Sequence, residues 1–529
     1  MSRPSIVLLR RSYGTGNYAS CHAAFLRRPG LLLGVLAFML ALGSARAQIQ
    51  QAWVAHYNNG IANGTNQAVK MALDSAGNIY ITGVSENTNS QLGYVTIKYA
   101  PNGNQIWVSR YDSGTYPTAT PAAMVLDSSN TVIVTGSALT IKYDPNGNLV
   151  WTAPYAGTAL ACDGIGNIYV GGFGTNFNTV KLAPEGTNSW LTTYNDVGPT
   201  ISQSVLVDNG NNVYVSGLDS YQWVSTSEYN PDEGYFAVAL TTIKYDSNGN
   251  QIWEASQADG GSSGSVVIGG ASLDTANNLY LVANFGAIGN DYVTLKYASN
   301  GNPQWMRFFG PGNGGAFGLS LDSASNVLVT GQYPHDYPNL AYGTEAVDTN
   351  GNEVWISYYP QVVIPRQSPG IVNSANGIAT DANNNAYVTG YSPGTNSLND
   401  IVTIAYGPNG NQLWLQRYNG PGNGNDVGNA IAVDNSGNVY VSGYDTTTAG
   451  GTEIVTIKYS PLILQPRSDG SVLLQAQGAF GESFEFLGST DLLNWVNLGS
   501  VAADSNGLAQ FTDTNAPNYP ARFYNTSPQ

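Results

Sequence analysis

"TIKYDPNGNLVW" spans Thr140–Trp151, and close copies of it recur along the chain. Each copy joins a strand-like Thr-Ile-Lys-Tyr to a second strand-like run that ends in tryptophan. Between them, Asp144 can accept from turn amides, Pro145 presets φ and Gly147 can take a positive φ. Those three properties describe a type I turn closed by a bulge. The last copy, "TIKYSPLILQP", stops before its tryptophan, while the first tryptophan, in "QAWVAHYNNG", has no Lys-Tyr segment ahead of it.

The larger unit is legible in Asn429–Tyr459: "NAIAVDNSGNVYVSG", a variable loop, then "EIVTIKY". Two strands flank the turn "NSGN", a third ends at Tyr459, and complete copies add a fourth strand with the tryptophan. Each repeat therefore predicts a four-stranded antiparallel meander. Eight copies align on the aspartate that ends the first strand: Asp74, Asp127, Asp163, Asp208, Asp274, Asp322, Asp381 and Asp434. The fourth-strand tryptophans are also eight: Trp53, Trp107, Trp151, Trp190, Trp253, Trp305, Trp355 and Trp414. Their spacing of 39 to 63 residues is near that of propeller blades. The two sets are offset by one, because Trp53 precedes every aspartate and no matching tryptophan follows Asp434.

A ring accounts for the offset. If the first strand of the chain completes the last sheet, both ends are held by one set of backbone hydrogen bonds. An open array would leave an unpaired edge. The expected fold is all-β: an eight-bladed β-propeller over residues 48–461, closed by the N-terminal strand that carries Trp53. Seven blades is the alternative, since the copy around Cys162, "ACDGIGNIYVGG", is short.

The repeats resemble the bacterial β-propeller repeat family, called SBBP, through "DSAGNIYITG" (Asp74–Gly83), "DNSGNVYVSG" (Asp434–Gly443) and the stretch quoted first. The resemblance covers residues 48–461. It implies the propeller fold and, for function, an extracellular scaffold or binding surface. Ala283 departs from the pattern where a glycine is usual, and Ala346 and Val347 stand for Lys and Tyr. The tryptophan series is also similar to the docking repeat of eight-bladed pyrroloquinoline quinone dehydrogenases. That family typically uses an adjacent cysteine pair and a calcium site, and the pair is missing here. No cofactor is expected, and each tryptophan is expected to fill the space between neighbouring blades.

Residues 462–529 break the pattern. Alternation in "SVLLQAQG", "FEFLGS" and "AQFTD" predicts a small β-sandwich. With "STDLLNW" (Ser489–Trp495) and "RFY" (Arg522–Tyr524) the segment resembles the C-terminal module of many secreted bacterial proteins.

At the other end, Arg27 and Arg28 precede a 12-residue apolar run, Leu31–Leu42, and "ARA" ends at Ala47. This is the pattern of a secretory signal peptide over residues 1–47, too short to span a membrane. Its removal leaves 13 basic residues against 35 acidic ones, a formal charge of −22. Such a surface repels phosphate backbones, so nucleic acid is excluded as a partner. Cys162 would be left alone, which rules out an internal disulfide. A secreted or cell-surface monomer is expected.

Catalytic signatures are sparse. "GPGNGG" (Gly310–Gly315) and "GGSSG" (Gly260–Gly264) fit nucleotide-loop and nucleophile-elbow patterns but lack the strand–helix context those need. His56 and His335 have no His or Cys neighbour at ligand spacing, so no metal site is expected. The aspartates ending the first strands could ring the channel mouth, but each is better read as the cap of its own turn. "DTNGN" (Asp348–Asn352) is similar to a calcium loop yet lacks the bidentate glutamate, and reads as a turn.

Connections between second and third strands, and between repeats, vary in length and must emerge on one face. Binding residues gather on such loops. Two insertions stand out. Leu218–Ala239 carries Tyr221, Trp223, Tyr229 and Tyr235; Gln332–Tyr342 carries Tyr333, His335, Asp336 and Tyr337. Aromatic rings beside Asn, Asp and Glu suit a glycan or a protein partner. An extracellular polysaccharide lyase or hydrolase using His335, Asp336 and Tyr337 is the enzymatic alternative; a passive spacer in a surface complex is the third. N-terminal sequencing of the exported protein should begin at Gln48; a start upstream of Leu31 would remove the signal-peptide reading.

Overall fold

The repeat's turn chemistry and its period-2 strands leave no material for helices. The computed structural model describes residues 49–528 apart from 115–117, 173–176, 195–200, 226–233, 259–265, 286–290, 310–313, 337–338, 360–371, 479, 492 and 520–521. Among the described residues every element is a strand except the single 3-10 turn Ala516–Asn518. No helix there is long and apolar enough to cross a membrane.

Among the described residues the strands form ten sheets, eight of four antiparallel strands and two of three. We number the four-stranded sheets 1 to 8 from the one that starts at Asn66. Sheets 1 to 7 are consecutive meanders, as in sheet 1: Asn66–Leu73, Ile79–Glu86, Leu92–Tyr99 and Gln105–Tyr111. Sheet 8 takes Val427–Val433, Val439–Thr446 and Thr452–Pro461 in order, and its fourth strand is Ile49–Tyr57. That strand runs antiparallel to Thr452–Pro461, from Ile49 opposite Pro461 to Tyr57 opposite Ile454. First strands of successive sheets touch one another, and the circuit closes where Asn66–Leu73 meets Val427–Val433. Sheets so arranged are consistent with the blades of a β-propeller.

The stretch Thr140–Trp151 now has a physical role. Gly147 sits at φ +83° and the pairing register shifts between Lys142 and Tyr143, which is the bulged type I turn. The turn's outer carbonyl receives two donors from the preceding sheet. Trp107 Nε1 and Lys98 Nζ both donate to the Pro145 carbonyl, at 3.0 and 3.3 Å. The Trp107 ring lies against Gly147 so closely that a Cβ there would come 2.6 Å from Cδ2. The same double donation recurs at Pro184, Ser247, Ser299 and Thr349. It also spans the chain ends: Trp53 Nε1 and Lys458 Nζ donate to Pro101 at 3.1 and 3.2 Å. Trp53 and Ala52 pack there with Ile79, Ile97 and Tyr440 in one buried cluster.

Beyond Pro461, the strands Ile463–Pro466, Val472–Gln477 and Leu508–Asp513 form one three-stranded sheet. The strands Val496–Ala502, Ser483–Ser489 and Phe523–Pro528 form the other. They share an apolar cluster centred on Leu474, Phe484 and Phe486, with Phe486 stacked on Phe511 at 5.6 Å. Gln477 of this region accepts from Lys458 at 2.8 Å.

Trp53→Ala removes a buried ring and one of the two donors that join the chain ends. It should cost about 3–5 kcal/mol in urea unfolding, and a loss below ~1 kcal/mol would show that closure does not rest on it. Gly147→Ala, strained both by φ and by the Trp107 ring, should also lower the midpoint.

Candidate functional site

The two rims of the ring differ. One carries the eight turns between first and second strands, and its aspartates are spoken for. Asp74 Oδ1 accepts from the Ala76 and Asn78 amides at 3.0 and 2.9 Å. Asp74 Oδ2 accepts from the Asn78 amide group and the Tyr80 hydroxyl at 2.7 and 3.1 Å. The pattern repeats at Asp163, Asp208, Asp274, Asp381 and Asp434. These carboxylates are turn caps. Asp348 likewise caps its own turn by accepting from Asn350 and Asn352.

The opposite rim carries the connections between second and third strands and between sheets. The two insertions there are not irregular loops, because their strands continue. In sheet 4, Val213–Ser225 and Gly234–Tyr245 stay paired outward to Ser225 opposite Gly234. Trp223 lies opposite Phe236, Tyr235 opposite Val224, and Tyr221 at the register shift between Ser220 and Gln222. In sheet 6, Val327–Asp336 and Asn339–Val347 stay paired to Asp336 opposite Asn339, with His335 at the adjacent shift. Tyr229 and Tyr337 lie outside the described residues, as do the side chains of Tyr221, Trp223, Tyr235, His335 and Asp336. The Tyr333 side chain is described. Its ring is half-buried, 4.5 Å from Tyr358 and 5.3 Å from Phe309, so it packs the seam between sheets 5 and 6.

That seam holds a polar group the sequence reading missed. Glu345 occupies the third-strand position filled by Ile97, Ile141, Ile243 and Ile457 in other sheets, and it is 0% exposed. Arg307 Nε lies 3.6 Å away, but neither Glu345 oxygen has a hydrogen-bond partner, and the buried Tyr292 hydroxyl has none either. Burial, aided by the charge of Glu353 and opposed by Arg307, pushes the Glu345 carboxyl up to about 7. The signal was present as "GTEAVD" where "TIKYD" is usual, with Arg307 replacing a small residue two places after Trp305.

A second cluster lies on sheet 8. His56 Nδ1 is 3.0 Å from Glu453 Oε1 and 3.5 Å from Asp445 Oδ2. Asp445 Oδ2 also accepts from the Tyr418 hydroxyl of sheet 7 at 2.8 Å, and Glu453 Oε2 accepts from Asn58 at 3.0 Å. Burial and neighbouring acids raise Asp445 to about 6, against the pull of Tyr418 and His56, and burial raises Asp426 too. Asn58 also lines a shallow cavity of ≈ 260 Å³ between the connections 58–64 and 447–452. No spacing rule links His56 to Asp445 across the chain; only the pairing of the two ends does.

Because its folded value lies above 4.5, Glu345 binds a proton on folding. Its contribution to stability is fully present below about pH 4.5, falls as pH rises to about 7, and is constant above. Glu345→Gln should flatten that slope and raise stability at pH 8 by roughly 3 kcal/mol. Denaturation curves between pH 4.5 and 8 test this, and parallel pH profiles for variant and parent would refute it.

Residues 414–444 match the beta-propeller repeat family SBBP. No curated protein matches the chain. A solved protein of unknown function from Bacteroides caccae shares 10% identity at a TM-score of 0.31, covering 54% of this chain and 92% of that one. Another, of unknown function from Dyadobacter fermentans, shares 9% at a TM-score of 0.36, covering 78% and 99%. The matched segment runs from the Trp414 strand of sheet 7 through the first two strands of sheet 8, so the similarity to the SBBP beta-propeller repeat lies on those three strands.

Proposed function

We propose that the chain is an exported binding scaffold: an eight-bladed β-propeller over residues 48–461 with a small C-terminal β-sandwich over 462–529, recognising a glycan or protein through its long-loop face. The observation that carries this reading is the overrun of the sheet 4 hairpin. Its middle strands are 13 and 12 residues long, whereas the corresponding strands of sheet 1 have 8 each. Pairing continues to Ser225 opposite Gly234, so the described part of the insertion is paired strand and not slack loop. Residues on paired backbone lose less entropy when a partner docks than residues on a slack loop. Tyr221, Trp223 and Tyr235 sit on that hairpin, and the sheet 6 hairpin with His335 and Asp336 is a shorter one.

The opposite rim supports the choice of face, since its aspartates are consumed in turns and it carries no comparable extension. The strongly acidic composition favours neutral sugars or basic protein surfaces over polyanions. A glycan and secreted-protein binding array on the exported chain identifies the ligand class. Trp223→Ala combined with Tyr337→Ala should weaken binding by tenfold or more, and unchanged affinity would overturn the reading. Product release from a polysaccharide that is lost in His335→Ala would favour the enzymatic alternative instead.

A further inference from the structure

We propose that His56, Asp445 and Glu453 form a site for a divalent transition cation of the zinc or manganese class, which staples the closing strand into sheet 8. The three side chains come from three adjacent strands, Ile49–Tyr57, Val439–Thr446 and Thr452–Pro461. One ligand atom of each lies within 4.8 Å of the others. Two ligands bound tetrahedrally at ~2.1 Å stand roughly 3.4 Å apart, and the His56 distances of 3.0 and 3.5 Å bracket that value. One imidazole with two carboxylates is a nitrogen–oxygen set, which favours zinc or manganese over calcium.

Comparison among the sheets separates this from an ordinary ion pair. His56 follows its tryptophan by three places, where sheet 1 has Arg110 and sheet 7 has Arg417. Those arginines are braces. Arg417 donates to Asp400 Oδ2 at 2.7 Å and to the Ser392 carbonyl at 3.1 Å, and Arg110 bonds Ser85 and Asp112. Strand register makes Ser85 and Ser392 the counterparts of Asp445, and Gly93 and Asp400 the counterparts of Glu453. Sheet 7 thus matches one guanidinium with one carboxylate, whereas sheet 8 sets two carboxylates against one imidazole.

The extra carboxylate is the informative one. The Asp445 side chain is 0% exposed, and its Oδ1 has no hydrogen-bond partner. Asp426, also fully buried, is packed against Asp445 across Gly420. A buried carboxylate short of donors is costly unless a cation or a proton meets it, and a cation at Oδ2, the oxygen that faces His56, would neutralise the group. His56 is 36% exposed, so an entry path from solvent exists. The location matters as well. The seam between sheets 7 and 8 lacks the usual clasp, because Ala405 replaces the lysine and no turn follows Tyr459 to receive Trp414.

The test is titration of the chelator-treated full chain with Zn²⁺ or Mn²⁺ alone, read by calorimetry and by thermal unfolding. The expected result is one binding event per chain and a rise in Tm. His56→Arg restores the brace found in sheets 1 and 7 but cannot ligate a metal; it should fold and lose the response. Asp445→Ser, the residue of the other two sheets, should weaken affinity by at least tenfold. Absence of binding up to millimolar metal, or an undiminished response in both His56→Arg and Asp445→Ser, would overturn the proposal.

Discussion

In six of the repeat turns one backbone carbonyl receives an indole N–H and a lysine ammonium from the sheet before it, and this bond pair joins successive sheets. The donors sit on the third and fourth strands of one sheet and the acceptor between the third and fourth strands of the next. Every sheet therefore needs a neighbour on both sides. The glycine of the turn is required twice, for its left-handed φ and because the indole lies where a Cβ would be. Lysine is tolerated in this buried setting because its charge rests on a carbonyl and over a tyrosine ring, as Lys98 does over Tyr80 at 4.8 Å.

Unusual polar groups collect at two seams, one that keeps its clasp at Thr349 and one that has none. Sheet 6 has lost the lysine and placed Glu345 in an aliphatic slot, and Arg307 across the seam answers it only in part. Sheet 8 has no turn after its third strand, since the chain there leaves for the C-terminal sheets. Lys458 bonds Gln477 in addition to its clasp carbonyl, and Tyr418 reaches Asp445 from sheet 7. Such polar substitutions subtract from packing energy. A ring with five regular clasps and a sixth between the chain ends can carry that cost.

Closure by the first strand also places His56 and His335 differently. His56 is fixed inside a sheet, among residues nearly 400 positions away. His335 rides on a projecting hairpin. In sequence the two look equivalent, each a lone histidine without a partner. The aspartates that end the first strands were legible from the sequence. Their sequence reading as turn caps holds: those with a tyrosine two positions past the turn, such as Asp74 and Asp434, are saturated locally.

Sequence alone determined the sheet as the repeating unit, its bulged turns, the interleaved tryptophans and the pairing of the chain's two ends. All of these follow from short-range periodicity and from a count of strands that comes out uneven at the ends. The continuation of the insertions as paired strands was not legible, because their aromatic and polar residues suit a loop as well as a hairpin. Tertiary structure alone decided which lone side chains meet: Glu345 with Arg307 across a seam, and His56 with Asp445 and Glu453 through closure. Those contacts depend on the register between distant strands, and register is set by backbone hydrogen bonds that no local pattern records.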